Sequence, residues 1–391
     1  MKKFFLIVFV FLCSCVFAAA DNLDSYFNKL NDEEKVFQLF LVNIEGNKTY
    51  RPVEFLEDGS AVVPGGVLLF SYNIGNTAEE LVLFLDSIND YCLKNKITPP
   101  YVAVDQEGGD VNRLRGITSA LPSCKKIAEN NSAEDAKRIY ANQARQMRLL
   151  GIHMNLAPVA EPLLDYNKDF LGSRSFGTIP ESVVYGSLCV GAYEENGVAS
   201  VVKHFPGNSN TDPHTGLPVI SLSKEEFENN FLLPFAFILN AAEPECILMS
   251  HAIVKGYDEN TPACLSSFWI DEVLKNTMNY NGLVISDDIF MGALADNGFP
   301  PEVAVVKAID AGVDVLMLSE KKFLNAARIL IAESKRNPEF KNKIDAAVKR
   351  VLAFKNKYGL LNPEDKFNLM PVEERVFQFN QIYKEGQNHE K

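Results

Sequence analysis

Short apolar segments recur along the chain at intervals of roughly 30–50 residues, and this spacing restricts the possible folds more than any other feature. The segments lie at 38–42, 67–70, 101–104, 152–154, 198–202, 247–249, 283–285 and 313–318. Between them lie longer amphipathic stretches, such as 132–150 and 224–239, with apolar residues three and four positions apart. This alternation of strand and helix predicts a parallel sheet.

Polar residues directly follow most of these apolar segments. They are Asp105, Asn155, Lys203, His204, Ser250, His251, Asp287 and Ser319. In a closed (β/α)₈ barrel such positions converge on one face, whereas an open sheet would gather only those nearest its switch point. We therefore predict an α/β fold, a single (β/α)₈ TIM-type barrel over residues 21–361. A short tail, helical or frayed, is expected over 362–391.

Residues 1–20 form a separate segment. The apolar run 4–12 follows two lysines and precedes three alanines at 18–20, which is typical of an export signal. The residues at 12–15, Leu-Cys-Ser-Cys, are also similar to a bacterial lipobox that would leave a lipidated Cys15. We expect a periplasmic or cell-surface protein. Its only membrane contact would be this N-terminal lipid, and simple signal cleavage remains the alternative.

Charge and motif content exclude several functions. A net charge of −13 argues against a nucleic-acid-binding surface. The five cysteines after the signal form no CxxC pair or Cys/His cluster, so we expect no metal site. They are expected to be buried and apolar, although an exported protein could pair two of them. Walker, dinucleotide-binding GxGxxG, HExxH and GxSxG motifs are absent from the sequence.

The apolar segment 198–202 is followed by the polar residues that are best suited to binding and catalysis. Lys203 and His204 stand at the end of the predicted strand, and Asp212 and His214 lie in the following loop. The imidazole of His214 titrates near neutral pH, and a nearby carboxylate can orient it, so His214 is a candidate proton donor and acceptor. A surface-loop histidine without a catalytic role is the alternative.

A second candidate is Asp287, which follows the apolar segment 283–285. A carboxylate held rigidly at the end of a buried strand can attack the anomeric carbon of a sugar. Asp287 or Asp288 could instead cap the next helix, and that interpretation fits Asp288 better.

Other charged residues at strand ends are ambiguous when taken alone. Asp105 with Arg113 nearby suits the hydroxyls of a sugar, and a structural ion pair is an equal alternative. Arg174 and His251 are open to the same two interpretations, and Glu161 is interpreted as structural.

Taken together, these segments resemble glycoside hydrolase family 3, specifically its single-domain β-N-acetylglucosaminidases, over about residues 25–360. The matching motifs include Asp-Gln-Glu-Gly-Gly at 105–109, Arg-Ser-Phe at 174–176, Lys-His-Phe-Pro-Gly at 203–207, Asp-Pro-His at 212–214 and Ile-Ser-Asp at 285–287. The Lys-His-Phe-Pro-Gly element with a following Asp-x-His is the most specific combination.

The resemblance implies a role for each candidate. Asp287 corresponds to the nucleophile, His214 to the acid/base and Asp212 to its dyad partner. The positions implied to hold the terminal N-acetylglucosamine are Asp105, Arg113, Arg174, Lys203 and His204, and we add His251 to this group. No metal or organic cofactor is implied. The implied partner is a small carbohydrate, a peptidoglycan fragment or a chitooligosaccharide.

The sequence departs from the family pattern in the loop that carries His214. Asn208-Ser209 stands where the family has His-Gly, and the loop to Asp212 is shorter than usual. Asp110 and Glu161 stand where the family commonly has Arg and Asp. We expect an exported retaining β-N-acetylhexosaminidase. The alternatives are a β-glucosidase or phosphorylase of the same family and a non-catalytic, cell-surface sugar-binding barrel.

Overall fold

The computed structural model describes residues 23–362 and 370–388. The predicted export signal and the lipobox-like segment lie outside the described residues. Residues 23–29 form a short helix at the start of the described chain.

Eight parallel strands form the central sheet. They are β1 Phe40–Asn43, β2 Gly66–Leu69, β3 Tyr101–Val104, β4 Met154–Asn155, β5 Ala199–Phe205, β6 Cys246–Met249, β7 Leu283–Ser286 and β8 Leu316–Leu318. Each strand pairs with its chain neighbours from β1 to β7, and β8 pairs with β1. The Ser286 N–H donates to the Val315 carbonyl oxygen at 2.9 Å, which joins β7 to the start of β8. The ring of strands is therefore closed, and the predicted barrel is confirmed.

Helices cover the outside of the barrel. They are α1 Asp32–Phe37, α2 Ala78–Asn95, α3 Cys124–Asn130, α4 Ala133–Leu150, α5 Ile179–Glu195, α6 Leu233–Ala242, α7 Phe268–Thr277, α8 Pro301–Ala311, α9 Leu324–Arg336, α10 Pro338–Lys357 and α11 Val372–Asn388. The segment Lys224–Phe227 and the π-helical Glu228–Leu232 run directly into α6, and α7 is itself π-helical. Lys168–Leu171 and Gly292–Ala295 are single turns.

One crossover differs from the prediction of regular alternation. Residues 44–65, all of which the structure describes, connect β1 to β2 without a helix. This connection folds back on itself instead, with an antiparallel bridge between Phe55 and Ala61. The mouth of the barrel is therefore bordered on this side by a loop.

Local sequence explains where the helices begin and end. The Asn31 side chain accepts the Glu34 N–H and the Glu34 side chain accepts the Asn31 N–H, a reciprocal cap that starts α1. Ser132 caps α4, where its hydroxyl accepts the Asp135 N–H. Gly151 ends α4 with a positive φ of 96°, a conformation in which a residue with a Cβ would be strained.

Apolar side chains fill the inside of the barrel. The interior cluster includes Leu41, Tyr101, Met154, Leu248 and Ile285, all buried. Because these side chains close the centre of the barrel, no ligand can pass through it, and the carboxyl ends of the strands are where barrels of this kind place their active sites. Larger clusters of buried residues lie between the strands and the helices.

The five described cysteines are all unpaired and buried. They are Cys92, Cys124, Cys189, Cys246 and Cys264. This agrees with the expectation that they serve as small apolar residues, and no pair among these five forms a disulfide.

The C-terminal helix α11 packs against α2 and α4. Arg375 near its start donates to Asp86 at 2.7 Å and to the Leu149 carbonyl oxygen at 3.0 Å. At its other end, Asn142 donates to the Ile382 carbonyl oxygen at 3.2 Å. Within the described part of the chain, no helix combines the length and the apolar character needed to cross a bilayer.

Candidate active site

A network of buried charges joins the ends of β3 and β5. The ammonium group of Lys203 lies 2.8 Å from Asp105 and 2.7 Å from Glu107. Arg174, from the loop after β4, donates to both carboxylate oxygens of Glu107 at 2.8 and 2.9 Å. Glu107 therefore binds both cations, and the predicted ligands Asp105, Arg174 and Lys203 lie together.

The neighbouring charges determine the ionisation of this network. Burial alone would raise the pKa of Glu107, but the charges of Lys203 and Arg174 outweigh it and lower the pKa to about 2. Burial would lower the pKa of Lys203, and the carboxylates of Asp105 and Glu107 raise it instead. Glu107 and Lys203 are thus both charged at neutral pH. The network offers fixed donors and an acceptor for sugar hydroxyls.

A second buried group fixes His204. Glu161 follows β4 and is fully buried, and its Oε1 lies 2.8 Å from Nδ1 of His204. Its Oε2 accepts the Asn208 N–H at 2.6 Å, and the Asn208 amide donates to Oε1 at 3.3 Å. The Phe170 ring, 6.2 Å from the His204 ring, packs beside the same imidazole. Glu161 therefore orients His204, which agrees with its structural interpretation.

Asp287 and Asp288 follow β7 but have different environments. Burial would raise the pKa of Asp287, yet His251, His204, the Asp288 N–H and Lys203 together hold it below its usual value. Burial raises the pKa of Asp288. Two adjacent carboxylates whose pKa values are displaced in opposite directions are suited to different tasks, and Asp287 is the one held ionised.

The interpretation of Asp288 as a helix cap is wrong. The next helical turn, Gly292–Ala295, begins after Met291. Asp288 instead accepts the Phe290 N–H at 3.0 Å and the hydroxyl hydrogen bond of Ser319. The first contact forms a turn directly after β7, and the second ties this turn to Ser319 at the end of β8.

His251 lies fully buried below the Asp287 turn. Its Nε2 lies 3.0 Å from the Asp288 carbonyl oxygen, and its Nδ1 lies 3.1 Å from the Cys264 sulfur. Both ring nitrogens are therefore occupied by protein groups. The predicted contact of His251 with a sugar stays a prediction, and the structure gives it a contact with the Asp287 loop.

Asp212 and His214 lie on an exposed part of the loop after β5. Nδ1 of His214 is 2.7 Å from Asp212, and 71% of the His214 side chain is exposed. Hydrogen bonds from His214 and the charge of Arg174 are among the effects that lower the pKa of Asp212, so the loop lies near the same end of the barrel. In residues 23–362 and 370–388, His214 makes no hydrogen bond or ion pair with Asp287. Its Nε2 is the nitrogen left to meet a ligand.

Arg113 lies at the edge of this group. Its guanidinium carbon is 5.9 Å from the centre of the Phe70 ring. Its buried Nε has no hydrogen-bond partner among the described residues. Asp105 pairs with Lys203, so the alternative of an Asp105–Arg113 ion pair is not realised.

Glu107 is the main residue that sequence reasoning did not single out. It sits in the short strand Gln106–Gly108, inside the Asp-Gln-Glu-Gly-Gly motif at 105–109. Nothing in the local sequence indicates that a carboxylate two residues beyond Asp105 is buried. Its role is visible only in the structure, where Lys203 and Arg174 both bind it. Asn208 was noted only as a departure, yet it donates to Glu161.

The arrangement suits attack on the anomeric carbon of an uncharged glycoside. An ionised carboxylate at Asp287, charged hydroxyl-binding groups at Asp105, Arg174 and Lys203, and a titratable imidazole nearby are the elements of a glycosidase site. Among the described residues, no group of three or more His, Cys, Asp or Glu side chains is placed to hold a metal ion.

Comparisons with known proteins agree with this geometry. The family model described as "Glycosyl hydrolase family 3 N terminal domain" matches residues 32–354. A β-hexosaminidase of Tolumonas auensis is 31% identical over 280 residues, covering 70% of this chain and 80% of that protein. Beta-hexosaminidase A of Pseudoalteromonas piscicida is 29% identical over 289 residues, which are 69% of this chain and 48% of that longer protein.

A solved structure of a glycoside hydrolase family 3 β-N-acetylglucosaminidase from Paenibacillus sp. is also similar. It superposes with a TM-score of 0.76 at 25% sequence identity, covering 90% of this chain and 69% of that one. The match of the family model to most of the barrel, together with the glycosidase-like site, establishes the class of the protein. The chain belongs to glycosyl hydrolase family 3 and is a glycoside hydrolase.

Proposed function

We propose that this protein is a retaining β-N-acetylhexosaminidase. It removes terminal β-linked N-acetylglucosamine from chitooligosaccharides or peptidoglycan fragments by double displacement. The observation that carries the proposal is the buried, ionised Asp287 facing the charged groups of β3 and β5. The hexosaminidases among its relatives support the choice of sugar.

The first chemical step forms a covalent intermediate. The Asp287 carboxylate attacks the anomeric carbon as the glycosidic C–O bond breaks, and Nε2–H of His214 gives its proton to the departing oxygen. Asp212 holds Nδ1 of His214 at 2.7 Å and stabilises the imidazolium form that donates this proton. The exposed loop then has to bend over the bound sugar.

The second step releases the sugar. Neutral His214 takes a proton from water, and the resulting hydroxide attacks the anomeric carbon and displaces Asp287. Two inversions leave the β configuration unchanged. Asp105, Arg174 and Lys203 hold the hydroxyls of the sugar through both steps, and Glu161 keeps His204 in place.

The test uses p-nitrophenyl N-acetyl-β-glucosaminide. Asp287→Ala is expected to abolish release of p-nitrophenol, because no other described carboxylate at the strand ends is comparably placed. Asp296→Ala, an exposed aspartate on the same connection, serves as the control and should retain full activity. Near-normal turnover by Asp287→Ala would reject the assignment.

A second variant tests the proton donor. His214→Ala should impair hydrolysis of a disaccharide far more than that of the p-nitrophenyl substrate, whose leaving group needs no proton. Equal losses would contradict the acid role. Binding of N-acetylglucosamine without turnover of any β-linked substrate would favour a sugar-binding barrel, and a sugar 1-phosphate formed in added phosphate would indicate a phosphorylase.

We also propose that the protein is exported, on the basis of residues 1–20. Mass spectrometry of the mature N-terminus tests this. Cleavage after 18–20 supports a simple signal, and a lipid-modified Cys15 supports an anchor. An intact N-terminus on protein from the native cell would contradict both.

A further inference from the structure

We propose that Phe70 and Tyr72 form the binding surface for the second sugar of the substrate, the one that leaves. This inference rests on the proposed function, because it extends the same site by one pyranose ring. Phe70 follows β2 directly, and Tyr72 lies in the turn Ser71–Asn73 that comes next. Neither residue is among those proposed to hold the terminal sugar or to take part in the reaction.

Phe70 lies at the boundary between the barrel interior and the mouth. It packs on the interior cluster that includes Leu41, Leu68 and Met317, and it is partly exposed. Arg113, one of the predicted sugar-binding residues, lies 5.9 Å from the centre of its ring. The Phe70 ring therefore adjoins the pocket for the terminal sugar.

Tyr72 continues this aromatic surface outwards. The centres of the Phe70 and Tyr72 rings are 6.2 Å apart, and their planes differ by 10°. Tyr72 is 50% exposed to solvent. A flat apolar ring that reaches solvent beside a sugar pocket can receive the apolar face of a pyranose.

Tyr72 is held in this orientation by buried groups. Its hydroxyl donates to Oδ1 of Asn43. The Asn43 amide in turn donates to the Leu68 carbonyl oxygen at 3.0 Å and to Asn73 at 3.1 Å. On the rim, the Lys321 ammonium lies 5.2 Å from the centre of the Tyr72 ring and 2.5 Å from Glu45. The ring is thus fixed before a ligand arrives, which lowers the entropic cost of binding.

The order of strands gives the direction in which the second sugar lies. The hydroxyl-binding residues Asp105 and Arg174 follow β3 and β4, and Lys203 lies near the end of β5, whereas Asp287 follows β7. The anomeric carbon and C4 are at opposite ends of a pyranose. The leaving sugar therefore extends away from β4, over β8 and the strands that follow it around the barrel, β1 and β2. Tyr72, Asn43 and Lys321 border this side.

The experiment compares two substrates that differ only in the second ring. N-acetylglucosaminyl β-fluoride fills the terminal-sugar pocket alone, and N,N'-diacetylchitobiose adds one pyranose. We expect Tyr72→Ala to lower kcat/KM for the disaccharide about tenfold, the loss for some 50 Å² of apolar contact, and to leave the fluoride unchanged. Tyr72→Phe, which keeps the ring, should retain most of the disaccharide activity.

The matched control is Phe237→Ala, which removes a similarly exposed aromatic ring (51%) from the outer helix α6. It should change neither substrate. Equal losses on both substrates with Tyr72→Ala, or no loss on either, would overturn the proposal. Melting curves of each variant show whether the fold is intact.

A wild-type protein that hydrolyses neither substrate would refute the proposed function and still allow the binding surface to be tested. Titration calorimetry then compares N-acetylglucosamine with N,N'-diacetylchitobiose. The inference expects the disaccharide to bind more tightly to the wild type, with this advantage lost in Tyr72→Ala. Equal affinities for the two sugars in the wild type, or an unchanged advantage in the variant, would contradict it.

Discussion

Replacement of Glu107 by glutamine tests whether the buried charge network holds the site together. Glu107 is almost inaccessible, with 1% of its side chain exposed, and it contacts both Arg174 and Lys203. The substitution keeps the shape of the side chain but removes its charge. Two cations then lose a buried counter-charge, a change that is strongly destabilising in proteins.

The depressed pKa of Glu107 gives the size of the effect. A pKa that falls from 4.5 in the unfolded chain to about 2 in the native protein corresponds to about 3 kcal/mol of stability at pH 7. This stability is fully present above pH 4.5 and is lost as the pH falls through 2. At pH 3 about 1.5 kcal/mol remains.

The assay is denaturant unfolding of wild type and Glu107→Gln at pH 7 and at pH 3. Any packing defect of the glutamine lowers stability equally at both pH values. The decisive quantity is therefore the loss of unfolding free energy in Glu107→Gln relative to wild type, which should be about 2 kcal/mol smaller at pH 3 than at pH 7. The exposed Glu79→Gln is the control, with no pH-dependent difference expected. A deficit that is absent at pH 7, or equal at both pH values, would refute the reasoning.

Two further substitutions test buried polar groups. Glu161→Gln places an amide against the donors of His204 and Asn208, so it should lose about 2 kcal/mol in denaturant unfolding and lower kcat/KM, whereas unchanged values would contradict the positioning of His204. Lys355 is fully buried, and burial lowers its pKa to about 7. The buried charge of Lys355 therefore destabilises the folded protein below pH 7, and this destabilisation disappears as the pH rises to 10.5. The stability of Lys355→Met relative to wild type should therefore fall by about 3 kcal/mol between pH 7 and pH 10, and a constant difference would show that the amine is charged in the folded protein.

The barrel could be predicted because its strands have a simple signature. Each strand is buried on both faces and is therefore a short apolar run, and each run ends where the chain meets the mouth of the barrel. The residues at the carboxyl ends of β3, β5 and β7, namely Asp105, Lys203 and Asp287, were found by that rule. The helix-free connection at 44–65 was not, because a loop and a short amphipathic helix differ little in composition.

The details of the site depend on contacts between distant residues. Glu107 and Arg174 are far apart in the chain, and nothing in their local sequence indicates that they form a bidentate pair. The same holds for Asn208 and Glu161, which meet only because β4 and β5 are neighbours. The turn at Asp288 was misinterpreted because an aspartate after a strand fits either a cap or a strand-end turn.

Trapping the covalent intermediate tests the central claim most directly. The enzyme is incubated with a 5-fluoro-N-acetylglucosaminyl fluoride, which reacts with a nucleophile and is released slowly, and its peptides are analysed by mass spectrometry. We predict one sugar residue attached to the peptide that contains Asp287, with fragmentation placing it on Asp287 and not on Asp288. Turnover of ordinary substrate without any trapped sugar, or a sugar attached to another carboxylate, would contradict the account.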